Sequence, residues 1–135
     1  MYVSKLNSEG ECIWRVERYN PDNRESIGRP RVAADPSGAA LISYIFGTPA
    51  PLDTIYFQKV TSEGNWLFSD KGPLVFPELG LKYQWDREIV SDDSGGAIIA
   101  VVAGKKYFRG DTIYVQRIDS DGNLLWGKTG IRVNP

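Results

Sequence analysis

Three stretches of the chain align with one another without a gap: Tyr2-Val-Ser-Lys-Leu-Asn-Ser-Glu-Gly-Glu-Cys-Ile-Trp14, Tyr56-Phe-Gln-Lys-Val-Thr-Ser-Glu-Gly-Asn-Trp-Leu-Phe68 and Tyr114-Val-Gln-Arg-Ile-Asp-Ser-Asp-Gly-Asn-Leu-Leu-Trp126. Tyrosine, a basic residue, serine, an acid, glycine and a closing aromatic recur at fixed offsets. Between them, Pro30-Arg-Val-Ala-Ala-Asp-Pro-Ser-Gly-Ala-Ala-Leu-Ile-Ser-Tyr44 aligns equally well with Arg87-Glu-Ile-Val-Ser-Asp-Asp-Ser-Gly-Gly-Ala-Ile-Ile-Ala-Val101. A period of this length marks a tandem array in which each unit buries its faces on its neighbours. The spacing between copies drifts by a few residues, so insertions fall in the links and the units keep their length.

Each unit reads as strand, turn, strand. Asp-Pro-Ser-Gly, Asp-Asp-Ser-Gly, Ser-Glu-Gly and Ser-Asp-Gly-Asn supply the side-chain acceptors and the permissive glycine of tight turns. With the Pro30 type of hairpin named a–b and the Tyr2 type c–d, strand b (Ala40 to Phe46 and Ala97 to Val102) is continuously apolar and is expected to be covered on both faces. Strand c alternates, with Ile55, Phe57 and Lys59 on one face and Tyr56, Gln58 and Val60 on the other. The 14 Gly and 8 Pro among 135 residues make about 16%, against roughly 12% in an average chain, which leaves little room for long helices. The expectation is an all-β fold of tandem four-stranded antiparallel blades, a partial β-propeller of about 2.5 blades per chain. It forms one repeat domain, 1–135, with a half blade at 2–19 and whole blades at 30–76 and 87–134.

The order of strand b, strand c closing in a Gly turn and strand d ending in Trp resembles the tryptophan-bearing blades of quinoprotein-like β-propellers. The stretch from Ile113 to Trp126, preceded by an Asp-Ser-Gly-Gly hairpin, is similar to repeats of large secreted or surface bacterial proteins. That resemblance implies architecture alone, because enzymes and inert scaffolds share such blades. The units here are longer than is usual for those blades, and the first copy lacks the glycine that follows Trp126 as Gly130. An electron-transfer quinoprotein is disfavoured, since the cofactor-binding residues it needs are missing. Ser91-Asp-Asp-Ser-Gly-Gly-Ala-Ile98 also lacks the Trp that closes a sialidase-type Ser-x-Asp-x-Gly-x-x-Trp box.

Composition narrows the chemistry further. Sixteen Lys and Arg against 17 Asp and Glu give a net charge of −1, without the positive field that nucleic acid or an anionic membrane surface attracts. The longest apolar run, Ala97 to Ala103, is far below the roughly 18 residues of a spanning helix. Neither nucleic acid nor membrane is expected as a partner. The chain has no histidine, and its one cysteine, Cys12, reads as a packed thiol that offers neither an internal disulfide nor a cysteine-built metal site. The loop Asp119-Ser-Asp-Gly-Asn123 has the alternating oxygens of a calcium loop, yet the other copies keep the turn and vary the ligands, so a plain hairpin turn is expected. Asp92 and Asp93 are neighbours in a turn and point apart, which makes them a poor general acid–base pair. No catalytic residue, metal or cofactor is assigned.

The short turns carry Glu9, Glu11, Asp35, Glu63, Asp92, Asp93, Asp119 and Asp121 and should form an acidic rim, whereas the links carry basic and aromatic residues and should form the other. Ligands favour long loops on rigid scaffolds, so Tyr83, Trp85, Lys105, Tyr107 and Arg109 are the candidate ligand-binding residues, suited to stacking on a glycan or holding an acidic group. The competing expectation is that these aromatics cover blade ends. Trp14, Phe68 and Trp126, with Gly10, Gly64 and Gly122, are expected to be structural, the rings wedging adjacent blades together. Gln58 and Gln116 are expected to satisfy backbone groups within or between blades. The strands count to two whole blades and one c–d hairpin, an arrangement with open faces. The expected partner is another copy of the chain, most simply in a homodimer, or the remainder of a longer propeller. The expected function is non-catalytic binding or scaffolding, with carbohydrate binding or glycoside processing as the alternative.

Overall fold

The computed structural model describes residues 1–18, 26–47, 54–80, 83–104 and 112–134. Among them every regular element is a strand: β1 (Tyr2–Leu6), β2 (Cys12–Glu17), β3 (Ser26–Ala34), β4 (Ala40–Gly47), β5 (Thr54–Val60), β6 (Tyr83–Ser91), β7 (Ala97–Gly104), β8 (Thr112–Ile118) and β9 (Ile131–Arg132). All pairings are antiparallel between strands consecutive in sequence, in three sheets: β1-β2, β3-β4-β5 and β6-β7-β8-β9. The a–b and c–d hairpins therefore join side by side, β4 to β5 and β7 to β8.

Strand a starts earlier than the sequence suggests. β3 begins at Ser26 and β6 at Tyr83, and in each a bulge interrupts the pairing, between Gly28 and Arg31 and between Gln84 and Asp86. An inserted residue re-aims the strand and lets pairing resume beyond it, which hides the continuation from a search for unbroken alternation.

The returning strand of the c–d hairpin is broken in two of the three units. In the first, β2 returns along β1 through Lys5↔Trp14, Ser4↔Arg15 and Val3↔Val16. In the second and third, the returning segment makes one bridge, Val60↔Trp66 or Ile118↔Leu124, swings out, and rejoins at Leu74 or at β9. Buried Gln58 and Gln116 hold these excursions with their side-chain amides. Gln58 Nε2 donates to Phe68 O at 2.9 Å and its Oε1 accepts from Phe68 N at 3.3 Å. Gln116 Nε2 donates to Gly127 O at 2.6 Å and, across to the second sheet, to Val75 O at 3.4 Å, while its Oε1 accepts from Trp126 N at 3.1 Å. Gly72 and Gly130 turn the chain back with φ of +74° and +70°; a Cβ would stand 2.2 Å from Phe57 O or 2.6 Å from Val115 O. The first copy has Ser4 in place of the glutamine and Arg18 in place of the glycine, and its hairpin runs straight.

The excursion also separates Trp66 from Phe68, which simple alternation puts on one face. Trp66 joins the cluster facing the first sheet, and Phe68 joins the cluster facing the third.

The second sheet is covered on both faces, as the apolar b strand requires. Leu41, Ile45, Ile55 and Phe57 meet Ile89, Ile99, Val101 and Ile118 of the third sheet. Ile42, Tyr44, Phe46 and Val60 meet Met1, Val3, Trp14 and Val16 of the first. Burial pushes the Tyr44 phenol up to about 12, and its hydroxyl donates to Lys71 O at 2.5 Å.

Candidate functional site

The polar side chains repeat as regularly as the apolar ones, and they join sheet to sheet. Lys59 Nζ donates to Asp35 Oδ2 of its own sheet at 2.9 Å and to Gly95 O of the next sheet at 2.8 Å. Lys5, one copy earlier, reaches Gly38 O of the second sheet at 3.5 Å. Arg117, one copy later, pairs with Asp92 of its own sheet at 2.9 Å. Arg31 adds a seam between β3 and β6, with Nε donating to Arg87 O at 3.1 Å and Nη2 lying 3.4 Å from Asp86. Arg87, buried behind it, donates through Nε to Ser43 Oγ at 3.2 Å.

Asp35 and Asp92 thus differ from the acids around them. Burial works against ionisation of Asp35, but the Ser37 hydroxyl and amide and the Lys59 ammonium outweigh it and hold the carboxyl below its ordinary value. At Asp92 burial is outweighed in the same way, by the amides of Ser94 and Gly96 and by Arg117. Their side chains are 1% and 3% exposed, so two of the acids expected on an open acidic rim are closed into the joints between hairpins. Asp93 sits in the turn with φ of +59° and takes no part in the Arg117 pair. The Asp119 loop closes on itself: Oδ1 accepts from Asp121 N at 2.9 Å and Asn123 N at 2.8 Å, and Oδ2 from Asn123 Nδ2 at 3.0 Å. Asn7 caps its turn identically, accepting from Glu9 N and Glu11 N. These oxygens are used in holding turns. Among the described residues no three His, Cys, Asp or Glu side chains gather as a metal would require.

The closing aromatics sit over turns. A Cβ on Gly64 would stand 3.0 Å from Cγ of Trp14, and one on Gly122 would stand 3.0 Å from Cε1 of Phe68. Trp14 Nε1 also donates to Ser62 O at 2.8 Å. Each ring thus lies on the c–d turn of the following unit.

Of the candidate ligand-binding residues, Tyr83 and Trp85 lie in strand β6, Trp85 at its bulge, where the sequence suggested a link. Lys105, Tyr107 and Arg109 lie outside the described residues. Cys12, expected to be packed, is exposed, with Sγ 3.3 Å from Trp14 O. Sequence reasoning passed over the Lys59–Asp35–Gly95 joint, although its signal was present: a basic residue follows the glutamine or serine in every c strand, and Asp opens every a–b turn.

Among the described residues the outer faces of the third and first sheets are open. On the outer face of the third sheet, Val90 and Ile113 are exposed and Ile98, Ala100 and Val102 half-buried; a pocket of about 150 Å³ lies there, lined by Asp86, Glu88, Ala100, Val102 and Ile113 among others. Their counterparts in the second sheet, among them Leu41 and Ile55, are buried against the third sheet. On the outer face of the first sheet, Tyr2, Leu6 and Ile13 are exposed. A groove beside β1, lined by Lys5, Trp14, Val32 and Ala40, runs along the back of β3 and β4.

Comparison of the chain with protein-family models, with curated proteins and with solved structures finds no match.

Proposed function

We propose that the chain is a non-catalytic scaffolding or binding module, built from tandem β-propeller-like blades stacked face to face. The observation that carries this reading is the use made of its polar side chains. Lys59, Asp35, Arg87, Gln58 and Gln116 are closed into joints within and between sheets. Fixed pairings between repeated units support rigidity and the presentation of surfaces. The blade reading is supported by the alternation of a–b and c–d hairpins and by a middle sheet buried on both sides.

A glycan array tests the reading against its rival, a carbohydrate-binding or glycoside-processing propeller. Silence, or weak binding unchanged by Trp85→Ala and Tyr107→Ala, is the expected result. Specific binding lost in either variant would transfer the function to the Tyr83, Trp85, Lys105, Tyr107 and Arg109 group.

A further inference from the structure

We infer, resting on the stacked-scaffold reading, that the outer face of the third sheet docks the outer face of the first sheet of a second copy, head to tail, with Trp126 seated over Gly10. Within the chain this step is made twice with equivalent residues, Trp14 over Gly64 and Phe68 over Gly122. Trp126 is the third ring of the series and Gly10 the third seat. Gly10 has φ of +84°, matching +89° and +88° at the two covered glycines, and a Cβ there would meet nothing within 4 Å. Asn7 already holds the Gly10 turn in shape, so docking requires no rearrangement of the seat.

The faces around ring and seat continue the interface between the second and third sheets. On the third sheet, Ile98, Val102 and Ile113 occupy the aligned positions of Leu41, Ile45 and Ile55, all three buried against the next sheet. On the first sheet, Tyr2 and Leu6 occupy the positions of Tyr114 and Ile118, which pack onto the second sheet. Tyr2 and Leu6 are 66% and 58% exposed, whereas Ile118 is 0% exposed. An exposed apolar stripe in the pattern that the chain uses to bind itself marks an interaction surface, and its best complement is the face it binds internally. The contact joins two different surfaces, so two copies joined at both ends would close a two-fold ring of six sheets.

Sedimentation velocity on the full chain over a wide concentration range tests this with two blocking variants. Leu6→Arg blocks the first-sheet face and Ile113→Arg the third-sheet face; both sites are exposed in the single copy, and circular dichroism checks that each variant folds. The wild type should associate, and each variant alone should be monomeric or at least tenfold weaker in association than the wild type. Their mixture should form a 1:1 complex through the one intact pair of faces. A wild type that stays monomeric overturns the inference, as does Leu6→Arg still dimerising alone, which would mean that like faces meet, or a mixture that stays monomeric. A monomeric wild type in which Trp14→Ala is still costly removes the docking and leaves the stacked scaffold standing; if Trp14→Ala costs nothing, the scaffold reading itself falls.

Discussion

The indole of Trp14 lies flat against the turn that Gly64 makes possible, with Cγ 3.0 Å and Cδ2 3.1 Å from where a Cβ on Gly64 would stand. Glycine serves there twice, giving the turn its φ of +89° and leaving room for the ring. The hydrogen bond from Trp14 Nε1 to Ser62 O fixes the ring's orientation. One residue pair therefore ties the turn end of the first hairpin to the next c–d turn, and Phe68 with Gly122 repeats the tie without the hydrogen bond.

Trp14→Ala and Trp126→Ala should differ, although the sequence makes them equivalent. The first removes a ring packed between two sheets, a loss of about 3 kcal/mol or more. The second removes a ring that no turn covers among the described residues and should cost about 1 kcal/mol in the monomer. Urea midpoints measured where the chain is monomeric decide it; equal losses would mean that the stacking contact contributes little.

Gly72→Ala should be more damaging than Gly10→Ala, although both residues have positive φ. At Gly10 an added methyl enters open space and meets only the left-handed penalty of about 1 kcal/mol. At Gly72 it would collide with Phe57 O, and forcing the excursion off strand β5 should add about 3 kcal/mol. Thermal denaturation of the two variants at concentrations where the chain is monomeric checks the order, and loss of amide-exchange protection at Phe57 and Val75 would locate the damage in the returning segment.

The hairpins, their turns and the coverage of β4 on both faces were legible because they rest on local chemistry: Gly after Ser-Glu or Ser-Asp, and runs such as Leu41-Ile-Ser-Tyr-Ile45 that no half-exposed strand would carry; the second b strand, β7, was expected to be covered in the same way but keeps its outer face open. The broken returning strand was not legible. Gln58 looks like a polar residue on an alternating strand, and its burial follows from the chain leaving β5 between Leu67 and Pro73, where Phe68 needs partners for its backbone groups. The start of β6 was hidden for a related reason, since the bulge at Trp85 breaks the alternation by which a strand is recognised. The candidate ligand residues were chosen for sitting in long links, and for Tyr83 and Trp85 the backbone forms strand instead. Which acids would be closed into joints depended on Lys59 and Arg117 reaching the a–b turns of their own sheets, a distance in space that periodicity along the chain does not encode.

Gln116→Leu keeps size and removes the amide that serves Trp126 N, Gly127 O and Val75 O. Leaving such backbone groups without a partner costs about 1–3 kcal/mol each, so a loss of about 3 kcal/mol is expected. Ser4→Leu, at the aligned and exposed position of the regular first hairpin, should change stability by less than about 0.5 kcal/mol. A chemical-denaturation comparison of the two variants tests whether the glutamine is what holds the excursion.

Acid should loosen the joints through Asp35 and Asp92. Both carboxyls titrate below their ordinary value of 3.8 in the folded chain, so the unfolded chain binds protons first and stability rises with pH across that window. The contribution is complete above the unfolded value of about 4 and is lost as pH falls through the lower folded values. Asp35→Asn keeps the cap on the turn and removes the charge facing Lys59, a loss of about 2 kcal/mol at neutral pH. Asp92→Asn should cost less, because its partner Arg117 is 36% exposed and water screens the pair. The double variant should be less stable at neutral pH and should lose less than the wild type between pH 5 and pH 3; Asp119, lowered by Asn123, and Glu63, lowered by Ser62, contribute to the slope that remains. Urea midpoints across that range supply the test: parallel curves for wild type and double variant would mean that neither carboxylate's ionisation is coupled to folding, and the joints would then owe their strength to packing alone.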